Sequence, residues 1–117
     1  MGESILKDKS FDFALDVVNT YKRLRDEGEY VMSKQFLRCG TSIGANIHEA
    51  NMAQSLADFS AKMYIALKET NETMYWLKLL SKSGYLDTDT SVRLTTVCHE
   101  LLKMLIATTK KTAPRQQ

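Results

Sequence analysis

A single proline stands in this 117-residue chain, at position 114, so nothing upstream of it carries the fixed φ and missing N–H that break a helix. Glycine, the other common interruption, occurs only five times. Such long unbroken stretches favour helix over strand, and the spacing of apolar residues within them predicts an all-α fold.

Four segments emerge. Ser10 is placed to N-cap a first helix of about residues 10–27, with Gly28 as its stop. A second helix is expected over about 30–52. Ser55-Leu-Ala-Asp58 reads as a capping box, with Asp in place of the usual Glu or Gln, opening a third helix over 56–82 that Gly84 closes. Asp87 or Thr88 caps a fourth over 88–111, and residues 112–117 are expected to fray. Short connections between helices of four to seven turns predict an antiparallel up-down-up-down four-helix bundle, with residues 1–117 as a single domain.

The second helix carries two stripes. At 100° per residue, Met32, Phe36, Cys39, Ile43, Ile47 and Ala50 share one face, as a core-facing helix requires. Gln35, Arg38, Ser42, Asn46 and Glu49 share a narrow polar face beside it. That face contains no Lys, which sets it apart from an ordinary solvent-facing surface and predicts contact with other protein. Gly40, Gly44 and Ala45 allow a neighbouring backbone to come close. A membrane Gly-xxx-Gly dimer is excluded because no apolar span contains them.

On the third helix the core stripe is Phe59, Met63, Ala66, Thr70, Met74 and Leu77. Ile65, Trp76 and Leu79 lie well round the cylinder, with Glu69 and Glu72 between them. An exposed Trp among aliphatics makes a sticky patch, which burial against another subunit would relieve. The first helix likewise has two apolar stripes, Phe11, Ala14, Leu15 and Val18 beside Phe13, Val17, Tyr21 and Leu24, and so more apolar arc than one contact needs. Self-association is therefore expected. Leu94, Val97, Cys98, Leu101 and Leu105 form the core stripe of the fourth helix.

Several classes of function are disfavoured. The longest apolar runs fall short of a membrane span, and Met1 to Lys9 lacks the apolar region of a signal peptide, so no membrane partner and a cytoplasmic location are expected. Cys39 and Cys98 sit on core stripes, which predicts small buried thiols rather than a disulfide or a metal pair. His48-Glu49 opens like a zinc-protease helix, but Met52 occupies the second ligand position. A di-iron Glu-x-x-His pattern fails because Ala45 and Thr96 precede His48 and His99 by three. Gly40 to Ala45 lacks the Gly-Lys-Ser/Thr of a phosphate loop, and no nucleophile elbow is present. No catalytic residue, cofactor or metal ligand is assigned, and the chain is expected not to be an enzyme. Glu49, Glu69 and Glu72 allow two readings, a carboxylate metal site or a seam in which Gln35, Arg38, Ser42 and Asn46 satisfy them together with Trp76. The seam is favoured, since Arg38 neutralises the carboxylates without an ion from outside.

The stretch Gln35-x-x-Arg38-Cys-Gly-Thr-Ser42-Ile43-Gly-Ala45-Asn46-Ile47-x-Glu49-Ala50, followed by Asp58-Phe59 and Ala66-Leu67-Lys68-Glu69-Thr-Asn-Glu72-Thr-Met-Tyr75-Trp76-Leu77, resembles the bacterial four-helix-bundle family of 23S rRNA intervening-sequence proteins. The resemblance runs from Phe11 to about Leu105, with Cys39 where Ser is common and Ala50 where Gly is common. It implies a closed up-down bundle assembled as a ring-like homopentamer. The chain is also similar to the accessory protein of diversity-generating retroelements, a basic pentameric bundle that partners reverse transcriptase and nucleic acid. At a net charge of +2 it is far less basic than that relative.

Two functional expectations follow. In the first, an oligomeric accessory factor associates with structured RNA or DNA, using Lys22, Arg23 and Arg25 together with Lys110, Lys111 and Arg115 for phosphate contacts. In the second, the oligomer is a scaffold for a partner protein and binds no nucleic acid directly.

Overall fold

The computed structural model describes residues 2–113, with side chains from residue 5 onward. It contains four helices, α1 (Gly2–Asp26), α2 (Met32–Ala50), α3 (Leu56–Lys82) and α4 (Thr88–Thr112). Each packs on its neighbours in the chain and α1 also meets α4, so the four close into a ring, with no approach across either diagonal among the described residues. The bundle is a rod of 50 × 24 × 23 Å.

The turns follow from their residues. Gly28 and Gly84 take φ of +96° and +89°, the left-handed conformation that ends a helix with least strain when no Cβ is present. Behind each, the N–H of Glu29 or Tyr85 reaches back to the carbonyl of Leu24 or Leu80. Ser55 caps α3 by accepting the Asp58 N–H at 3.1 Å, and Asp58 in turn accepts from the Gln54 N–H at 3.3 Å. Asp87 caps α4 by accepting the Thr90 N–H at 2.7 Å.

The start of α1 corrects the sequence reading. Ser10 is not an N-cap but a residue of the helix interior, 1% exposed, with its hydroxyl donating to the Lys7 carbonyl. Its burial completes a stripe of Leu6, Ser10, Phe13, Val17, Thr20 and Leu24, whose polar members conceal the helical period. The predicted start of α2 at residue 30 also moves, to Met32, and its end retreats from 52 to Ala50. At the other terminus α4 runs one residue further than expected, and the Thr112 hydroxyl donates to Ser60 Oγ at 3.2 Å.

Close approach of α1 and α2 explains the small residues of α2. A Cβ on Gly44 would stand 3.3 Å from the Ser10 carbonyl oxygen. Phe36, Cys39, Ile43, Ile47 and Ala50 are buried as their stripe predicts, with Met32 partly covered. Met63, Ala66, Leu77 and Leu80 face them from α3, and Leu94, Cys98, Leu101 and Leu105 from α4. Buried hydroxyls return to their own helices, Thr70 to the Ala66 carbonyl and Thr109 to that of Leu105. Among the described residues no buried side-chain polar atom lacks a partner.

Candidate functional site: the seam between α2 and α3

The polar stripe of α2 lies along its contact with α3. Arg38 reaches across to both glutamates, lying 3.3 Å from Glu69 and closer still to Glu72, and Trp76 Nε1 donates to Glu72 at 3.0 Å. Glu72 thus receives two donors on one carboxylate oxygen. The Arg38 guanidinium, followed by the Trp76 N–H, holds the Glu72 carboxyl below its ordinary pKa. Arg38 is correspondingly raised, chiefly by its hydrogen bond to Glu72. Tyr75 completes the cluster, its ring edge-to-face with Trp76 at 5.1 Å between centroids.

The remaining members of the stripe do not join. Ser42 donates to the Arg38 carbonyl and Asn46 to that of Ser42, so both bond back along α2. Gln35 and Glu49 are exposed. Glu49 lies eleven residues beyond Arg38, about 16 Å along the axis. The three glutamates therefore do not converge, and among the described residues no group of three or more His, Cys, Asp or Glu could hold a metal ion. Arg38, Glu69, Glu72 and Trp76 form a contact within one bundle, and the Arg38 side chain remains 48% exposed.

The candidate phosphate contacts separate. Arg23 lies 3.8 Å from both Glu27 and Asp87, and Arg25 pairs with Asp26 while lying over the Tyr21 ring. Lys22 is exposed beside them and forms no ion pair among the described residues. Lys110 and Lys111 occupy the last turn of α4. The Arg23–Asp87 pair joins the end of α1 to the start of α4, so the lysines at the end of α4 stand at the opposite end of the rod. The two groups cannot form one patch, and Arg115 lies outside the described residues.

Both cysteines are buried and free. Burial pushes the Cys39 thiol up to about 11 and that of Cys98 up to about 12, which suppresses the thiolate needed for nucleophilic chemistry.

Glu29 escaped the sequence reading. Its carboxylate accepts the N–H groups of Val31, Met32 and Ser33, at 3.3, 2.9 and 2.7 Å, and so caps α2 from outside the helix. Burial alone would raise its pKa; these donors outweigh it and hold the group below the ordinary value. The signal was an acid standing directly behind a glycine stop and four residues before Ser33.

Fold and seam together define the class, a small closed up-down bundle with a half-exposed ionic cluster on one side. Within that class, a model of the 23S rRNA-intervening sequence protein family matches residues 3–107, and the chain belongs to that family. It is similar to a crystal structure from Bacteroides thetaiotaomicron VPI-5482, described as a protein of unknown function from the S23 ribosomal protein family. The two share 50% identity and a TM-score of 0.91, over 94% of this chain and 99% of that one. No curated protein matches the chain.

Proposed function

We propose that this chain is a non-enzymatic, self-assembling bundle that acts as an RNA-associated accessory factor. The observation that carries the reading is the apolar surface left outside a core that is already closed. On α1, Ile5, Phe11 and Leu15 are more than half exposed; on α3, Ile65 and Leu79 are exposed and flank Glu69, Glu72 and Trp76 along the same stripe. These rows belong to different helices, which suits a heterologous contact that closes into a ring better than a twofold pairing of one patch with itself. The homopentamer implied by the family resemblance is such a ring. In the assembly the Arg38 cluster fixes register at one edge of the contact, a role for which ion pairs are better suited than for net stability.

RNA association is supported by the family and by cations at both ends of the rod. The alternative, a protein scaffold that does not touch nucleic acid, draws support from Arg23 and Arg25, whose charges are already met by Glu27, Asp87 and Asp26.

Light scattering on the purified chain tests assembly. A mass several times the 13.3 kDa of one chain is expected, and a monomeric mass overturns it. Titration with structured RNA at stepped ionic strength tests association: affinity should fall as salt rises, and no binding in low salt leaves the scaffold.

A further inference from the structure

The outer face of α3 on its α4 side carries a row that lies outside the core and meets the Arg38 seam only where Tyr75 stands against Trp76. Tyr64, Lys68, Asn71, Tyr75, Lys78 and Lys82 follow one another at steps of four, three, four, three and four, and all are exposed. The row edges a continuous groove. One part, about 630 Å³, lies over Met74, Ser91 and Thr95; the other, about 580 Å³, lies over Leu67, Leu102 and Ile106, and Asn71 and Tyr75 border both.

Two properties identify what fits. The first is charge: Lys68, Lys78 and Lys82 form no ion pair among the described residues. The one acid lining the groove, Glu72, is met by Arg38 and Trp76 on its far side. The second is the aromatic surface. Tyr64 and Tyr75 are 57% and 60% exposed, and Trp76 braces Tyr75 edge-on, limiting its freedom without covering it. Tyrosines interspersed with lysines over a mainly apolar floor offer π-faces to bases and cations to phosphates, the combination that binds unpaired strands.

We propose that this groove binds single-stranded nucleic acid, with bases stacked on Tyr64 and Tyr75 and phosphates tracked by Lys68, Lys78 and Lys82. The proposal rests on the RNA-associated reading and sharpens it from structured RNA in general to an unpaired segment. Eleven residues separate the two rings, about 16 Å along the helix, which matches roughly five nucleotides of a stacked strand at ~3.4 Å each. A base-paired duplex hides its π-faces and has nothing to place on the rings.

Fluorescence anisotropy with a labelled oligoadenylate of about ten nucleotides tests this on the full chain in its native assembly. Tyr75→Ala should weaken binding about tenfold or more, with Tyr75→Phe close to wild type because the ring remains. Joint Lys68→Gln, Lys78→Gln and Lys82→Gln should lower the salt slope by about two, since each phosphate contact contributes roughly 0.7. These positions are exposed, so the variants should keep the wild-type helical circular dichroism spectrum, which is recorded alongside the binding curves. Binding of the oligomer undiminished in Tyr64→Ala/Tyr75→Ala overturns the groove while RNA association stands. Binding of a hairpin duplex but no single strand has the same meaning. Displacement of the strand by polyglutamate at equal charge concentration would reduce the site to a charge surface for acidic protein and overturn the stacking claim. Failure to bind either RNA at low salt removes both this proposal and the reading beneath it.

Discussion

Gly40 on α2 and Val17 on α1 approach so closely that a Cβ built on Gly40 would stand 2.9 Å from both Val17 methyl carbons. Val17 is fully buried and β-branched, so it has little freedom to withdraw. Gly40→Ala would gain about 1 kcal/mol of helix propensity but meet an overpacking penalty of about 1–3 kcal/mol. A net loss of about 1 kcal/mol is expected, read as a fall of about 4 °C in melting temperature. Tested against a Val17→Ala background, Gly40→Ala should be less harmful. If it stabilises wild type, the contact does not limit helix approach.

The Glu29 cap makes a statement about pH. Its folded pKa is depressed, so its contribution is present above the unfolded carboxyl value of about 4.3 and is lost as pH falls through the lower folded value. Glu29→Ala should cost about 1–2 kcal/mol at neutral pH, in the range of a lost helix cap, and that deficit should shrink below pH 4. Denaturant melts of both proteins across that range measure it. A deficit constant with pH would assign the effect to packing.

Trp76 is the only tryptophan, so its fluorescence reports on the carboxylate to which its N–H donates. Acid titration should show a transition below the ordinary glutamate value, as protonation of Glu72 removes its ion pair with Arg38 and weakens the hydrogen bond it accepts from Trp76. In Arg38→Met the midpoint should move up, and the stability loss should stay within about 1 kcal/mol because the pair is half exposed. An unmoved midpoint would mean that Arg38 does not set the charge of Glu72.

The contact of α1 with α4 is held differently from the others. Lys9–Glu100 at 2.7 Å, Asp16–Arg93 at 2.9 Å and Arg23–Asp87 at 3.8 Å all cross it. The Asp16–Arg93 pair is bidentate. A double-mutant cycle of Asp16→Asn and Arg93→Gln should give a coupling of about 0.5–1 kcal/mol at low salt and nearly none at about 1 M, where screening acts over roughly 3 Å. Equal coupling at both salts would contradict an exposed pair.

With pKa values of about 11 and 12, Cys39 and Cys98 should react with a thiol reagent at pH 8 no faster than the bundle opens. Modification should follow the unfolding equilibrium in urea, and rapid labelling of native protein would show that either thiol is reachable.

Much of the fold is legible in the sequence, because its punctuation is chemically explicit. Gly28, Gly84, Ser55 and Asp87 each have one physical role and occupy it. Ser10 misled because a small hydroxyl residue serves two purposes, N-capping in isolation or close helix approach when another backbone is near. Only the position of Gly44 decides between them. In the seam, the meeting of Arg38 with Glu69 and Glu72 was legible from two helical periods. The distance of Glu49 was legible too, from its eleven-residue offset, but that Gln35 stays apart was not, since a shared stripe fixes direction around a helix and says nothing about depth along its partner. The Tyr64–Lys82 row had the same period as every other stripe and became distinct only when α4 supplied the other wall of its groove.

The ring closure also bears on how the chain reaches its native state. Three of its four lateral contacts join helices consecutive in sequence, and only α1 with α4 requires the whole chain to be gathered first. Loop-closure entropy therefore falls almost entirely on that one step. The α1–α4 contact should form after the transition state and have low φ-values. Its three ion pairs then act on unfolding: they lengthen the lifetime of the finished bundle while leaving the speed of its formation nearly untouched.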